Sequence, residues 1–127
     1  MITAVGVDVQ PINEIDSSLD EFGSRYARRL FTSYEMEQCQ KNPLGVSRCF
    51  AERFAAKEAV LKLLDVRDIV PNWKEIEVRG DSRGRLEVLL HGVAAEVARQ
   101  RGVQSISLDV SHACNSAIAV ATAHSSN

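Results

Sequence analysis

Arg53, Lys57, Glu58 and Lys62 crowd into one otherwise apolar stretch, RCFAERFAAKEAVLKLL, running from Arg48 to Leu64. Arginine and lysine are the side chains that hold phosphate groups, and a carboxylate among them can bind a cation or take a proton. Two more candidates stand far away in the chain: Asp8 near the N-terminus, and His112 directly after Ser111. Each also has a plainer account. Glu58 precedes Lys62 by one turn, a favoured helix pairing worth ~0.3 kcal/mol, whereas Arg53 and Lys57 would repel. Asp8 could cap the element that follows it, and a lone histidine at a strand end is ordinarily incidental.

The elements that must position these residues follow from periodicity. At about 100° per residue, Phe50, Phe54, Leu61 and Leu64 fall on one stripe of a helix over 48–64, and Ala51, Ala55 and Ala59 occupy much of the remainder. A helix apolar nearly all round belongs in a core or an interface, and charges on it are paired or line a site. Residues 2–9 alternate as a strand, with Val5, Val7 and Val9 on one face and Ala4, Gly6 and Asp8 on the other, where small residues leave room for a close neighbour. Residues 11–22 predict a short helix whose apolar face is Ile12, Ile15, Leu19 and Phe22. Its polar face carries Glu14, Asp16, Asp20 and Glu21 and no basic residue. Arg25, Arg28 and Arg29 follow on another short helix, either as a basic patch or as a solvated face.

Thr32-Ser33-Tyr34-Glu35 has the form of a capping box opening a helix to about Lys41, and Asn42-Pro43-Leu44-Gly45 is a turn. Strands are expected over 73–78 and 86–90 around a turn at 80–84, then a helix over 93–101 that closes at Gly102. Strands over 104–111 and 116–123 finish the chain, joined by a turn at 113–116. The second of them, SAIAVATA, is apolar on both faces and so belongs at the centre of a sheet or at an interface.

The string Arg53-Phe54-Ala55-Ala56-Lys57-Glu58-Ala59, followed by Lys62, resembles the signature helix of the 4′-phosphopantetheinyl transferases, most closely their short holo-acyl-carrier-protein synthase branch. Gly6-Val7-Asp8, the Trp73-x-x-Ile76-Glu77-Val78 stretch, and Ser111-His112 followed by Ala117-x-Ala119-Val120 extend the likeness over essentially the whole chain. The resemblance implies an α+β fold, a single domain over 1–127 with a mainly antiparallel sheet packed on a long central helix. It implies transfer of the 4′-phosphopantetheine arm of coenzyme A to a serine of an apo-acyl carrier protein. Asp8 and Glu58 would hold Mg²⁺, and Lys62 would stabilise charge on the pyrophosphate. Arg53, Ser111 and His112 would bind coenzyme A, with Lys57 either joining them or pairing with a neighbour. Arg25, Arg28 and Arg29 would dock the carrier, and the branch is generally trimeric.

Two departures stand beside that likeness. Asn13 and Glu14 occupy positions where relatives carry a basic pair, and Asp65-Val66-Arg67-Asp68-Ile69 replaces a glycine-rich turn. They motivate an alternative: a specialised or degenerate relative that binds coenzyme A or one particular carrier without general activity. A binding-only module and a purely structural domain are the remaining readings.

Composition sets the outer bounds. A content of 45% hydrophobic and 25% charged residues in 127 is that of a globular domain, and a net charge of −2 offers no general attraction to nucleic acid or an anionic membrane. Cys39, Cys49 and Cys114 lack C-x-x-C spacing, so the expectation is reduced thiols in a cytoplasmic protein. Neither a signal peptide nor a membrane-spanning apolar run is expected.

Overall fold

The nearly all-apolar stretch forms α4 (Val46–Leu64), and the rest of the chain wraps it. The computed structural model describes residues 1–66 and 71–125. It runs β1 (Ile2–Pro11), α1 (Ile12–Phe22), α2 (Ser24–Leu30), α3 (Ser33–Gln40), α4, β2 (Ile76–Gly80), β3 (Leu86–Leu90), α5 (Gly92–Gln100), β4 (Ser105–Ala113) and β5 (Ser116–His124). The class is α+β, and every pairing is antiparallel: β1-β5-β4 in one sheet, β2-β3 in a second. The strand SAIAVATA lies at the centre of the larger sheet.

Small residues set how closely that sheet approaches α4. Ala117, Ala119, Ala121 and Ala123 face inward from β5 and are fully buried, as are Ala51, Ala55 and Ala59 on the helix. At Gly6 the approach tightens until a Cβ would lie 1.9 Å from the carbonyl oxygen of Ala59. No side chain fits there, so the glycine lets β1 lie on the helix backbone. The opposite face of β1 is open, with Val5, Val7 and Val9 each about half exposed.

Several expectations change. Trp73–Glu75 is a 3₁₀ turn and not strand; the strand begins only at Ile76. Asn72 caps that turn, and its backbone N–H donates in return to the Glu75 carboxylate, a local closure that competes with extension. Phe22 is 54% exposed because α1 ends at Gly23, in the left-handed region, before Phe22 can turn onto the core. Cys39 and Cys49 are not free thiols. They are buried and disulfide-bonded, because the turn after α3 folds α4 back until their Cα atoms are 5.2 Å apart; Cys114 alone is exposed and free. Of the segment replacing the glycine turn, Asp65 takes a left-handed conformation at the end of α4, while Arg67, Asp68 and Ile69 lie outside the described residues.

A buried ion pair ties the layers together. Lys57 and Glu35 are both fully buried, with Nζ and Oε1 2.8 Å apart. Lys57 also donates to the carbonyls of Trp73 at 2.9 Å and Ile76 at 2.6 Å. Glu35 accepts from the backbone N–H of Thr32, completing the predicted capping box, and from that of Val78 in β2. Burial depresses the Lys57 pKa, and the charge of Glu35 opposes that shift. Replacing Lys57 with Met leaves a buried carboxylate without its cation and is expected to cost ~3–5 kcal/mol, read from urea unfolding. A loss within error of zero would mean that the pair does not hold the layers.

Candidate active site

Inward-facing Asp8 sits at the point where β1 crosses the last turns of α4. It is only 8% exposed. Lys62 Nζ donates to Asp8 Oδ1 at 2.8 Å and to the Val7 carbonyl at 3.1 Å. Lys62 thus reaches across to β1, and Asp8 raises its pKa through that hydrogen bond. Glu58, one turn earlier on α4, faces the same carboxylate. Burial first, then the hydrogen bond and charge of Asp8, push the Glu58 pKa from the ordinary 4.5 to about 7, with Lys62 pulling the other way. Tyr26 of α2 stands close by. Burial raises its pKa, a hydrogen bond with Ser18 opposes this, and the charges of Glu14 and Glu58 add to the rise.

The donor set fits a hard divalent cation. Asp8 Oδ2 is buried without a hydrogen-bond donor as long as Glu58 is ionised, and it stands where two carboxylates repel each other. A shared cation relieves both costs. Among the described residues, no group of three or more His, Cys, Asp or Glu side chains could hold a metal. Two carboxylates completed by phosphate oxygens and water are the habit of Mg²⁺.

The remaining candidates scatter. His112, at the inner face of β4, accepts at Nδ1 from Arg48 Nη2 at 3.1 Å and points Nε2 at Glu52 Oε1, 3.4 Å away. Arg53 is buried, bonds Gln38 through Nη2, and feels the charges of Glu52 and Glu35, which oppose the depression of its pKa by burial. Lys57 has all three of its protons engaged inside the protein, so no donor is left for a ligand; of its two sequence-level readings, pairing with a neighbour is the one this geometry allows. Ser111 is exposed on the outer face of the sheet, opposite to His112. Arg25, Arg28 and Arg29 are exposed on α2. Arg48 and Glu52 were missed in the sequence, although their i,i+4 spacing on one helix was the available signal.

This arrangement of helix, strand and paired carboxylates defines a class. Residues 4–122 match the family model of the 4′-phosphopantetheinyl transferase superfamily. The chain is 35% identical to a holo-[acyl-carrier-protein] synthase of Halothermothrix orenii, over 94% of each sequence. It superposes on the crystal structure of holo-[acyl-carrier-protein] synthase from Neisseria meningitidis with a TM-score of 0.85 at 25% identity, covering 98% of this chain and 99% of the other. An ACPS–CoA complex from Chronobacterium ammoniagenes gives 0.80 at 27% identity, covering 98% of both. The chain belongs to the holo-[acyl-carrier-protein] synthase family. No helix among the described residues is long and apolar enough to cross a membrane.

Glu58 binds its proton more tightly in the folded state than in the unfolded one. Its contribution to stability is therefore full below about pH 4.5 and is lost as pH rises through about 7. The metal-free protein is expected to show a melting temperature that falls between about pH 5 and 8, with a shallower fall in Asp8→Asn and recovery on adding Mg²⁺ at the upper end. Identical profiles for the two proteins would remove Asp8 as a neighbour of Glu58.

Proposed function

We propose that this chain is a Mg²⁺-dependent holo-[acyl-carrier-protein] synthase whose catalytic centre is Asp8, Glu58 and Lys62. As a member of that family it transfers the 4′-phosphopantetheine arm of coenzyme A to a serine of an apo-acyl carrier protein and releases 3′,5′-ADP. The convergence of Asp8, Glu58 and Lys62 from β1 and α4 carries the reading. Asp8 and Glu58 would hold the ion, which when bound offsets charge on the pyrophosphate. Lys62, exposed and anchored only at its tip, stabilises charge on the departing phosphate. Glu58 stands beside the ion to take the serine proton directly or through a water it holds, with a metal-bound water as the other acceptor. Arg53 and His112 hold the 3′-phosphate of coenzyme A, with Ser111 at the margin. Arg25, Arg28 and Arg29 meet the acidic carrier. A cytoplasmic setting belongs to the proposal on account of these substrates.

We further propose a homotrimer with sites at subunit boundaries. Two features support it. The outer face of β1 presents Val5, Val7 and Val9 to solvent, beside Ile118 and Val120 of β5, an apolar patch of the kind that marks an interface. In one chain the carboxylates and His112 lie on opposite edges of the sheet, two strand spacings or roughly 10 Å apart, so a second copy would complete each site.

The transfer is read by incubating the protein with coenzyme A, Mg²⁺ and apo-carriers and weighing the carriers. One added phosphopantetheine is expected, lost on chelation and cut by about 10² or more in Asp8→Asn. Transfer that persists undiminished in chelator would sink the metal assignment.

A second reading, a synthase for an unusual carrier, is favoured by α1, where Glu14, Asp16, Asp20 and Glu21 are all exposed. Acids at a docking face slow the encounter with an acidic partner. Glu14→Arg should raise kcat/KM for a standard acidic carrier by about tenfold at low salt, and the gain should shrink as salt is added. An unchanged kcat/KM would count against it.

A further inference from the structure

Glu52 is the unexpected member of the His112 cluster. Arg48 Nε and His112 Nε2 both point at the same atom, Glu52 Oε1, from 3.8 and 3.4 Å. Both nitrogens are buried and neither makes a hydrogen bond; the same holds for Nε of the buried Arg53, which lies within the field of Glu52. Charge-assisted bonds to oxygen are ordinarily 2.7–2.9 Å long. The Arg48 and His112 donors are therefore aimed at an anion that a single carboxylate fills loosely. Arg48 Nη2 donates to His112 Nδ1, which leaves the proton of a neutral ring on Nε2, pointing at the carboxylate. A phosphate has more oxygens to offer and can meet several such donors together.

We propose that Glu52 is an internal stand-in for the ligand's phosphate, a carboxylate held against Arg48 and His112 and within the field of Arg53, that swings out when the 3′-phosphate arrives. The proposal rests on the reading that Arg53 and His112 receive that phosphate, and it adds Arg48 as a further donor. Glu52 has somewhere to go: its side chain is 19% exposed and borders an open groove of about 900 Å³ between β3 and β4, where Arg79 and Arg85 also stand. A resident carboxylate keeps the half-buried Arg48 and the buried Arg53 compensated in the free protein, where an empty cluster would suffer uncompensated desolvation. It also tempers the preference for a 3′-phosphate. A ligand without a 3′-phosphate has nothing with which to displace Glu52, so the residue weakens binding only of ligands that must evict it.

The test compares the dissociation constants of 3′,5′-ADP and 5′-ADP, by calorimetry on the full chain, for the wild type, Glu52→Gln and Glu52→Ala. Both variants are expected to bind 3′,5′-ADP about tenfold more tightly while 5′-ADP changes less than about twofold. Arg48→Gln should weaken 3′,5′-ADP selectively, in the wild type and in Glu52→Gln alike. Unchanged or weaker 3′,5′-ADP binding in both Glu52 variants, with melting temperatures near that of the wild type, overturns the proposal, because Glu52 would then be a prop for His112. If the wild type itself fails to prefer 3′,5′-ADP over 5′-ADP, and His112→Gln alters neither, the 3′-phosphate reading fails and the proposal fails with it. A wild type that prefers 3′,5′-ADP, beside inert Glu52 variants, leaves that reading standing and removes only the stand-in.

Discussion

The fully buried contact between Lys57 and Glu35 is the joint on which the architecture turns. It satisfies demands that arise in separate elements: the N–H of Thr32, which caps α3, the N–H of Val78 in β2, and the carbonyls of Trp73 and Ile76. Without the ammonium those carbonyls would be buried acceptors lacking a donor, and Glu35 a buried charge without a counterion. The pair also explains an oddity of the α4 sequence. A lysine in the middle of a phenylalanine stripe looks like an intrusion, but it marks where the smaller sheet is fastened to the helix. Phe31, 5.5 Å from the ammonium, and its stacked neighbour Phe50 close the pocket around it.

A second constraint works at the other end of α4. The match of small residues between Ala55, Ala59 and the inner face of β1 and β5 lets the sheet lie unusually near the helix, with Gly6 as the closest point. Two residues further along β1 the chain delivers Asp8 beside Glu58 and Lys62. The geometry of the proposed catalytic centre is thus inherited from a packing distance. A bulkier residue at position 6 would push β1 off the helix and draw Asp8 away from its partners, and no rearrangement of the carboxylate itself could restore the contact.

α4 therefore carries two candidate sites on one helix. Its C-terminal half supplies the carboxylate and lysine at the β1 edge, and its N-terminal half supplies Arg48 and Glu52 at the β4 edge. Ten residues of helix separate Glu52 from Lys62, about 15 Å along the axis.

Much of this was written in local pattern. The long helix, the capping box at Thr32–Glu35, the alternation of β1 and β4 and the central place of the doubly apolar β5 all follow from residues close in sequence, where periodicity and capping act over a few positions. Short-range chemistry misled only where another closure competed with it, as at the 3₁₀ turn of Trp73–Glu75. What the sequence could not decide was partnership. Whether Lys57 faced a ligand or Glu35, whether Cys39 met Cys49, and which acid would stand beside His112 depend on segments brought together from across the chain. The reason is physical: an ionisable or sulfhydryl side chain carries the same local signature whether it is paired, bonded or free. Burial and the arrival of a distant neighbour assign its role, and only the tertiary structure supplies those.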